Sequence, residues 1–150
     1  MREAHTYHVS AWWTSGPAGL VKADSAPNAI HFTAPPEFGG FEGRWTPEDF
    51  LLGAVASCFV ATFRAIADYA RFEYGDLEVD VHGTLSPAAA GYVFSEIVIR
   101  PKLRVMREEQ KERASVLLEK AKRSCLVSRA LAVAQEFESS IEAGTLVLAE

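Results

Sequence analysis

From Leu51 to Phe63 the chain runs thirteen residues without a charge, and the first interruption is Arg64. A helix through such a stretch is apolar on every side, so it must be covered all round, by protein or by lipid. Its start is marked. Thr46 is suited to the N-cap, Pro47 to the first helical position where its missing N–H costs nothing, and Asp49 to the third, where its carboxylate can complete a capping-box-like arrangement. The spacing predicts a helix from Thr46 to about Arg71. A membrane span needs about 20 predominantly apolar residues, and the thirteen here fall short. Gly53, Ala54, Ala56, Ser57 and Ala61 instead favour close helix–helix approach inside protein. A single chain of 150 residues has little else with which to cover every side of this helix, so a stable dimer is expected.

The flanking segments read mostly as strands. His5 to Thr14, a turn over Ser15 to Gly19, Leu20 to Asp24 and Ala29 to Thr33 precede a loop, Ala34 to Arg44, dense in Pro and Gly. After the helix, Leu77, Val79, Val81, Gly83 and Leu85 alternate with polar residues, as do Ile97, Ile99, Leu103 and Val105. This is the period-two pattern of half-buried strands, read here as a hairpin turning over Pro87 to Gly91, with Pro101 marking an edge or a bulge. From about Arg107 a second helix carries Ala114, Leu117, Leu118, Ala121 and Cys125 on one continuous apolar stripe. Ala132 to Glu142 alternates weakly as a last strand, and Gly144 to Glu150 is a short strand or tail. Helices interspersed with strand pairs make an α+β fold, as one domain over residues 1–150.

Several functions are disfavoured. A net charge of −5 argues against a nucleic-acid partner, since Lys102 and Arg104 on one strand face and Lys120, Lys122 and Arg123 at a helix end read as solvated charges. His5, His8, His31 and His82 lack metal-ligand spacing, and two cysteines cannot make a four-ligand site. Arg64 is expected to pair with Asp68 one turn on, as a buried structural contact. Met1 to His5 leads into a strand pattern without the apolar core of a secretory signal, which makes the cytoplasm the expected location, with no membrane role. In a reducing compartment two cysteines are packed hydrophobes or redox groups rather than a permanent staple.

Cys58 lies in Thr46-Pro47-Glu48-Asp49-Phe50-Leu51-Leu52-Gly53-Ala54-Val55-Ala56-Ser57-Cys58-Phe59, and Cys125 in Ser124-Cys125-Leu126-Val127-Ser128. Either cysteine alone would be read as an inert packed side chain. As a pair, the two motifs resemble the OsmC/Ohr family of thiol-dependent hydroperoxide reductases, over most of the chain up to Leu131. The family's second motif is Cys-Pro-Val-Ser; Leu126 stands where proline is usual, which removes the residue that would preorganise a helix start after Cys125.

The resemblance implies an intertwined homodimer with antiparallel sheets wrapped around two central helices. It also implies a mechanism: Cys58 attacks an organic hydroperoxide and becomes sulfenic acid, Cys125 resolves it to a disulfide, and an external dithiol, a dihydrolipoyl group or small thiol, restores the pair with no bound cofactor. An arginine held by the glutamate of the Pro-Glu helix start activates the thiol in the family. Glu48 matches that glutamate, and Arg44 is the candidate arginine in the preceding loop. Cys58 lies about 18 Å along its own helix from Thr46, too far to feel the dipole of that helix, so a nearby cation is expected to lower its pKa. Glu48 and Cys58 are separated by about 15 Å on one helix, so Glu48 can serve a partner chain's Cys58. Arg129, four residues after Cys125, shares its helix face and is a second aid to thiolate formation. Phe38, Phe41, Trp45 and Phe59, with Trp12 and Trp13, are candidates to wall a substrate pocket; core packing is the competing role. Two other readings stay open: an OsmC-like module that binds a hydrophobic small molecule without catalysis, and an enzyme in which Cys58 forms a thioester, for which no His-Asn or His-Asp partner can be placed.

Overall fold

The computed structural model describes residues 2–144. The chain divides into two compact units, Met1–Leu51 and Leu52–Glu150, and the division falls inside the first helix.

In the first unit β1 (Val9–Ser15), β2 (Ala18–Ala23) and β3 (Ile30–Thr33) form an antiparallel sheet in that order. β1 begins four residues after the expected His5 and is exposed along its whole length, with Trp13 74% accessible. Thr33 at the end of β3 is fully buried and organises the loop that follows. Its N–H donates to the Trp45 carbonyl at 2.9 Å, and its Oγ1 accepts from the Phe41 N–H at 2.9 Å. A 3-10 turn at Pro36–Phe38 closes on Gly39, whose φ of 87° suits glycine. The expected capping box forms at the helix start: the Asp49 N–H donates to Thr46 Oγ1 at 3.1 Å, and the Thr46 N–H to Asp49 Oδ2 at 2.9 Å. Trp45 stacks on Phe50 at 5.5 Å between ring centres.

α1 (Pro47–Tyr69) stops two residues before the expected Arg71. The Phe72 N–H reaches the Ala67 carbonyl at 2.8 Å and the Arg71 N–H that of Asp68 at 3.1 Å, which is the Schellman pattern, with Arg71 taking the left-handed position at φ 52°. Within the second unit only every fourth residue of α1 is buried: Val55, Phe59, Phe63 and Ala67. Ser57, Val60 and Ala61 remain exposed, so one chain covers one stripe of a helix that is apolar all round. By length and composition alone α1 is able to cross a membrane, because it runs past Arg64 to Tyr69; the count of thirteen uncharged residues therefore does not exclude lipid. The buried stripe packs against protein. Phe59, Phe63 and Ala67 pack with Leu103, Val105, Ala114, Leu118 and Ala121, and Val55 with Ile97 and Ile99. Each large side chain buried this way contributes about 1.5–3 kcal/mol. Arg64 does pair with Asp68, at 3.7 Å, but on the exposed flank, where such a pair is worth little.

β4 (Asp76–Ala88) and β5 (Gly91–Val105) form a hairpin longer than the alternation suggested, turning over only Ala89 and Ala90. Pro87 is thus a strand residue, paired with Tyr92. A bulge opposite Thr84 and Leu85 accommodates Ser95 as an extra residue and reverses the alternation beyond it. A Cβ at Gly83 would lie 2.8 Å from a methyl of Leu52, so glycine permits α1 to approach β4 closely. β5 buries Ile97, Ile99, Pro101, Leu103 and Val105 on one face. Lys102 and Arg104 on the other pair with Asp80 and Glu142, at 2.7 and 3.3 Å.

A 3-10 turn at Glu108–Gln110 leads into α2 (Lys111–Ser124), and a separate helix, α3 (Leu126–Ala130), follows. The expected last strand is two, β6 (Gln135–Phe137) and β7 (Ser140–Ala143), both parallel to β5 in one register. Pro101 explains the interruption. The Ile97 N–H donates to Ala134 O and the Ile99 carbonyl accepts from Glu138 N–H, so alternation points the missing N–H of Pro101 at the same neighbour. Pro101 therefore lies inside the sheet, and neither an edge nor the bulge falls there. The possible strand or tail over 144–150 lies, apart from Gly144, outside the described residues.

Candidate active site at the two thiols

The second unit brings Cys58 and Cys125 together, close enough that each thiol acts on the ionisation of the other. Cys58 sits on the half-buried flank of α1, beside the buried stripe, and its Sγ is 3.8 Å from Thr62 Oγ1 one turn on. Cys125 is 1% accessible and occupies the break between α2 and α3, at φ −66° and ψ 111°. The apolar stripe of α2 reads through to Cys125 in sequence, but the backbone leaves helical geometry there and re-enters it at Leu126 without the help of proline.

The surroundings split the pair. Burial pushes the Cys58 thiol up, but hydrogen bonds from the backbone of Val127, the Cys125 thiol, Thr62 and the backbone of Leu126 outweigh it and hold its pKa below the ordinary value of 9.0. Burial also pushes Cys125 up, and there it prevails. The backbone of Ser128 and Val127 works against it, while donation to Cys58 and the negative charge on Cys58 reinforce it. Cys58 is the member that ionises and Cys125 the member that keeps its proton. Sequence reasoning anticipated the pair but missed these donors, which are backbone amides in the first turn of α3. The one available signal was the helix start implied by the Cys-x-Val-Ser spacing, at Cys125, Val127 and Ser128. Arg129 is exposed; its backbone N–H donates to the Cys125 carbonyl at 3.1 Å.

Beside Cys125 a cavity of about 30 Å³ is lined by Phe59, Lys122, Ser128, Gln135 and Phe137 among others. That is room for about one water. Phe59 is 1% accessible and packs on Phe137 at 5.6 Å between ring centres, so it is a core side chain rather than the wall of an open pocket.

The remaining candidates lie in the first unit. Arg44 is exposed, its guanidinium 5.7 Å from the centre of the Phe41 ring. Glu48 Oε2 is buried without a hydrogen-bond partner among the described residues. Phe38, Phe41 and Trp45 are each about half exposed, at 47, 48 and 52%. His8 bonds Asp24 at 2.9 Å, a link between the residues that flank the paired ends of β1 and β2.

The sequence profile of the OsmC-like protein family matches residues 40–140, on both sides of the division within α1. The chain belongs to the OsmC-like family. Among curated proteins it is 24% identical over 145 residues to Uncharacterized protein YmaD of Bacillus subtilis, covering 93% of this chain and 97% of that one. The fold is shared with an OsmC-like protein of unknown function from Vibrio cholerae, at 17% identity and a TM-score of 0.78 over 92% of this chain and 99% of that one. It is shared also with an organic hydroperoxide resistance protein from Elizabethkingia anophelis, at 21% identity and a TM-score of 0.74, over 95% and 99% of the two chains. The architecture is the α+β fold of these proteins.

Proposed function

We propose that this protein is a thiol-dependent peroxidase that reduces organic hydroperoxides. The observation that carries the reading is the split thiol pair: one half-buried cysteine surrounded by hydrogen-bond donors and one fully buried cysteine that donates to it. The Cys58 thiolate attacks the terminal oxygen of ROOH, the O–O bond breaks, and the departing alkoxide takes up a proton to leave as alcohol. Cys58 is then a sulfenic acid. Cys125 attacks its sulfur, the Cys125 proton leaves with the hydroxyl as water, and a Cys58–Cys125 disulfide remains. An external dithiol, a dihydrolipoyl group or a small thiol, returns both to thiols. The substrate class follows the organic hydroperoxide resistance proteins among the structural relatives.

The working form in this reading is a cytoplasmic homodimer. The uncovered flank of α1 at Val60 and Ala61 and the exposed indoles of β1 support a second chain. A second reading, an OsmC-like module that binds a hydrophobic small molecule without turning it over, is favoured by one observation: Glu48 Oε2 is buried with no hydrogen-bond partner among the described residues of this chain. Trapping with a dimedone-type probe in Cys125→Ser, where no resolving thiol consumes the sulfenic acid, after one equivalent of cumene hydroperoxide separates the two. The peroxidase gives the adduct at Cys58, and the binding module gives none.

A further inference from the structure

α3 is five residues long, carries no side-chain cap and begins at Leu126 rather than at proline. A helix this short does not hold itself together in water, because nucleation costs more than one turn returns. Yet the backbone of its first turn acts on both thiols, and its Ser128 lines one small cavity together with Cys125 and Gln135. Something outside it must fix it. The side chain that does so comes from the sheet. Gln135 Nε2 donates to the Ser128 carbonyl at 2.9 Å, and the Ser128 hydroxyl donates back to Gln135 Oε1, a reciprocal pair in a partly buried setting. Gln135 is itself held in register: it pairs with Ile97, and the preceding carbonyl of Ala134 accepts the Ile97 N–H at 2.9 Å. The pair thus links the middle of α3 to β6.

We propose that Gln135 is a positioning residue of the thiol site: through Ser128 it holds the first turn of α3 against Cys58 and Cys125. It touches neither sulfur, and it acts by fixing where the Leu126 and Val127 amides point. An amide that donates to a thiolate loses most of its effect once its distance or angle drifts, so removing the anchor weakens the stabilisation of the Cys58 anion while leaving the residue itself in place. The inference rests on Cys58 being the attacking thiolate, but its test uses no peroxide.

The reduced full-length protein is alkylated with iodoacetamide across a pH series, and Cys58 is followed by peptide mass spectrometry. In Gln135→Leu the Cys58 profile is expected to move to higher pH, with alkylation about tenfold slower on the acid side and the same rate on the alkaline plateau, since only the thiolate reacts. Ser128→Ala, which removes one bond of the two, is expected to slow the acid side about threefold, as part of that same loss. An unmoved profile in folded Gln135→Leu overturns the proposal, as does a lowered plateau without displacement, which marks changed access alone. Should Gln135→Leu not fold, an unmoved profile in Ser128→Ala overturns it equally. A displaced profile in a protein that consumes no hydroperoxide leaves the positioning role standing and removes the peroxidase reading.

Discussion

The two cysteines face each other from regions built on opposite principles. Around Cys58 the flank of α1 is half open, and its polar neighbours, Thr62 and the backbone of Val127 and Leu126, all favour the thiolate. Around Cys125 the chain is closed, among residues packed against Ala121 and Phe59, and its own thiol becomes a donor. Residue type is the same in both places. The assignment of attacker and resolver therefore comes from access and from the direction of hydrogen bonds, not from the cysteines themselves.

The largest effect that can break this comparison is loss of turnover. Cys58→Ser is expected to abolish hydroperoxide consumption, whereas Cys125→Ser should consume one equivalent and stall with Cys58 as sulfenic acid or further oxidised. Single-turnover stoichiometry checks it; equal inactivity of the two variants would erase the distinction. Next comes stability. Leu118→Ala, in the core beneath the Cys125 region, should cost about 2–5 kcal/mol in urea unfolding, while Arg64→Ala on the outer flank of α1 should change it by less than about 0.5 kcal/mol.

The pH dependence sharpens the comparison further. With its pKa lowered below 9.0, Cys58 is deprotonated above that lowered value, and its reactivity falls tenfold per pH unit below it. Cys125, raised above 9.0, should ionise and alkylate only at higher pH. Site-resolved alkylation should show two separated rises with Cys58 first, and the reverse order would exchange the roles. The smallest effect is Thr62→Val, which removes one hydroxyl from Cys58 at 3.8 Å. A long contact to sulfur is weak, so about a two- to threefold loss of acid-side alkylation rate is expected, measured in the same assay.

Part of this was legible in the sequence because the signals were local. The capping box at Thr46 and Asp49, the alternation of β4 and the spacing of the two motifs each follow from residues within a few positions. Three features were not. The bulge at Ser95 reverses the alternation of β5, which hid the strand from Gly91 to Phe94. The parallel placement of β6 and β7 depends on a connection through two helices, which no short window contains. And two of the groups that lower the Cys58 pKa within the second unit are the main-chain amides of Val127 and Leu126, which every residue but proline carries, so no residue type marks them in the sequence.

The rung that Pro101 leaves out of the ladder divides the C-terminal edge of the sheet into two pieces of three and four residues. Cooperative opening spreads along continuous rows of hydrogen bonds, and a missing rung stops it. β7 can therefore fray without carrying β6 along, and amide exchange at Glu142 and Gly144 should run ahead of exchange at Glu136 and Glu138. The strand that anchors α3 is thus insulated, by one proline on its neighbour, from the breathing of the chain beyond it.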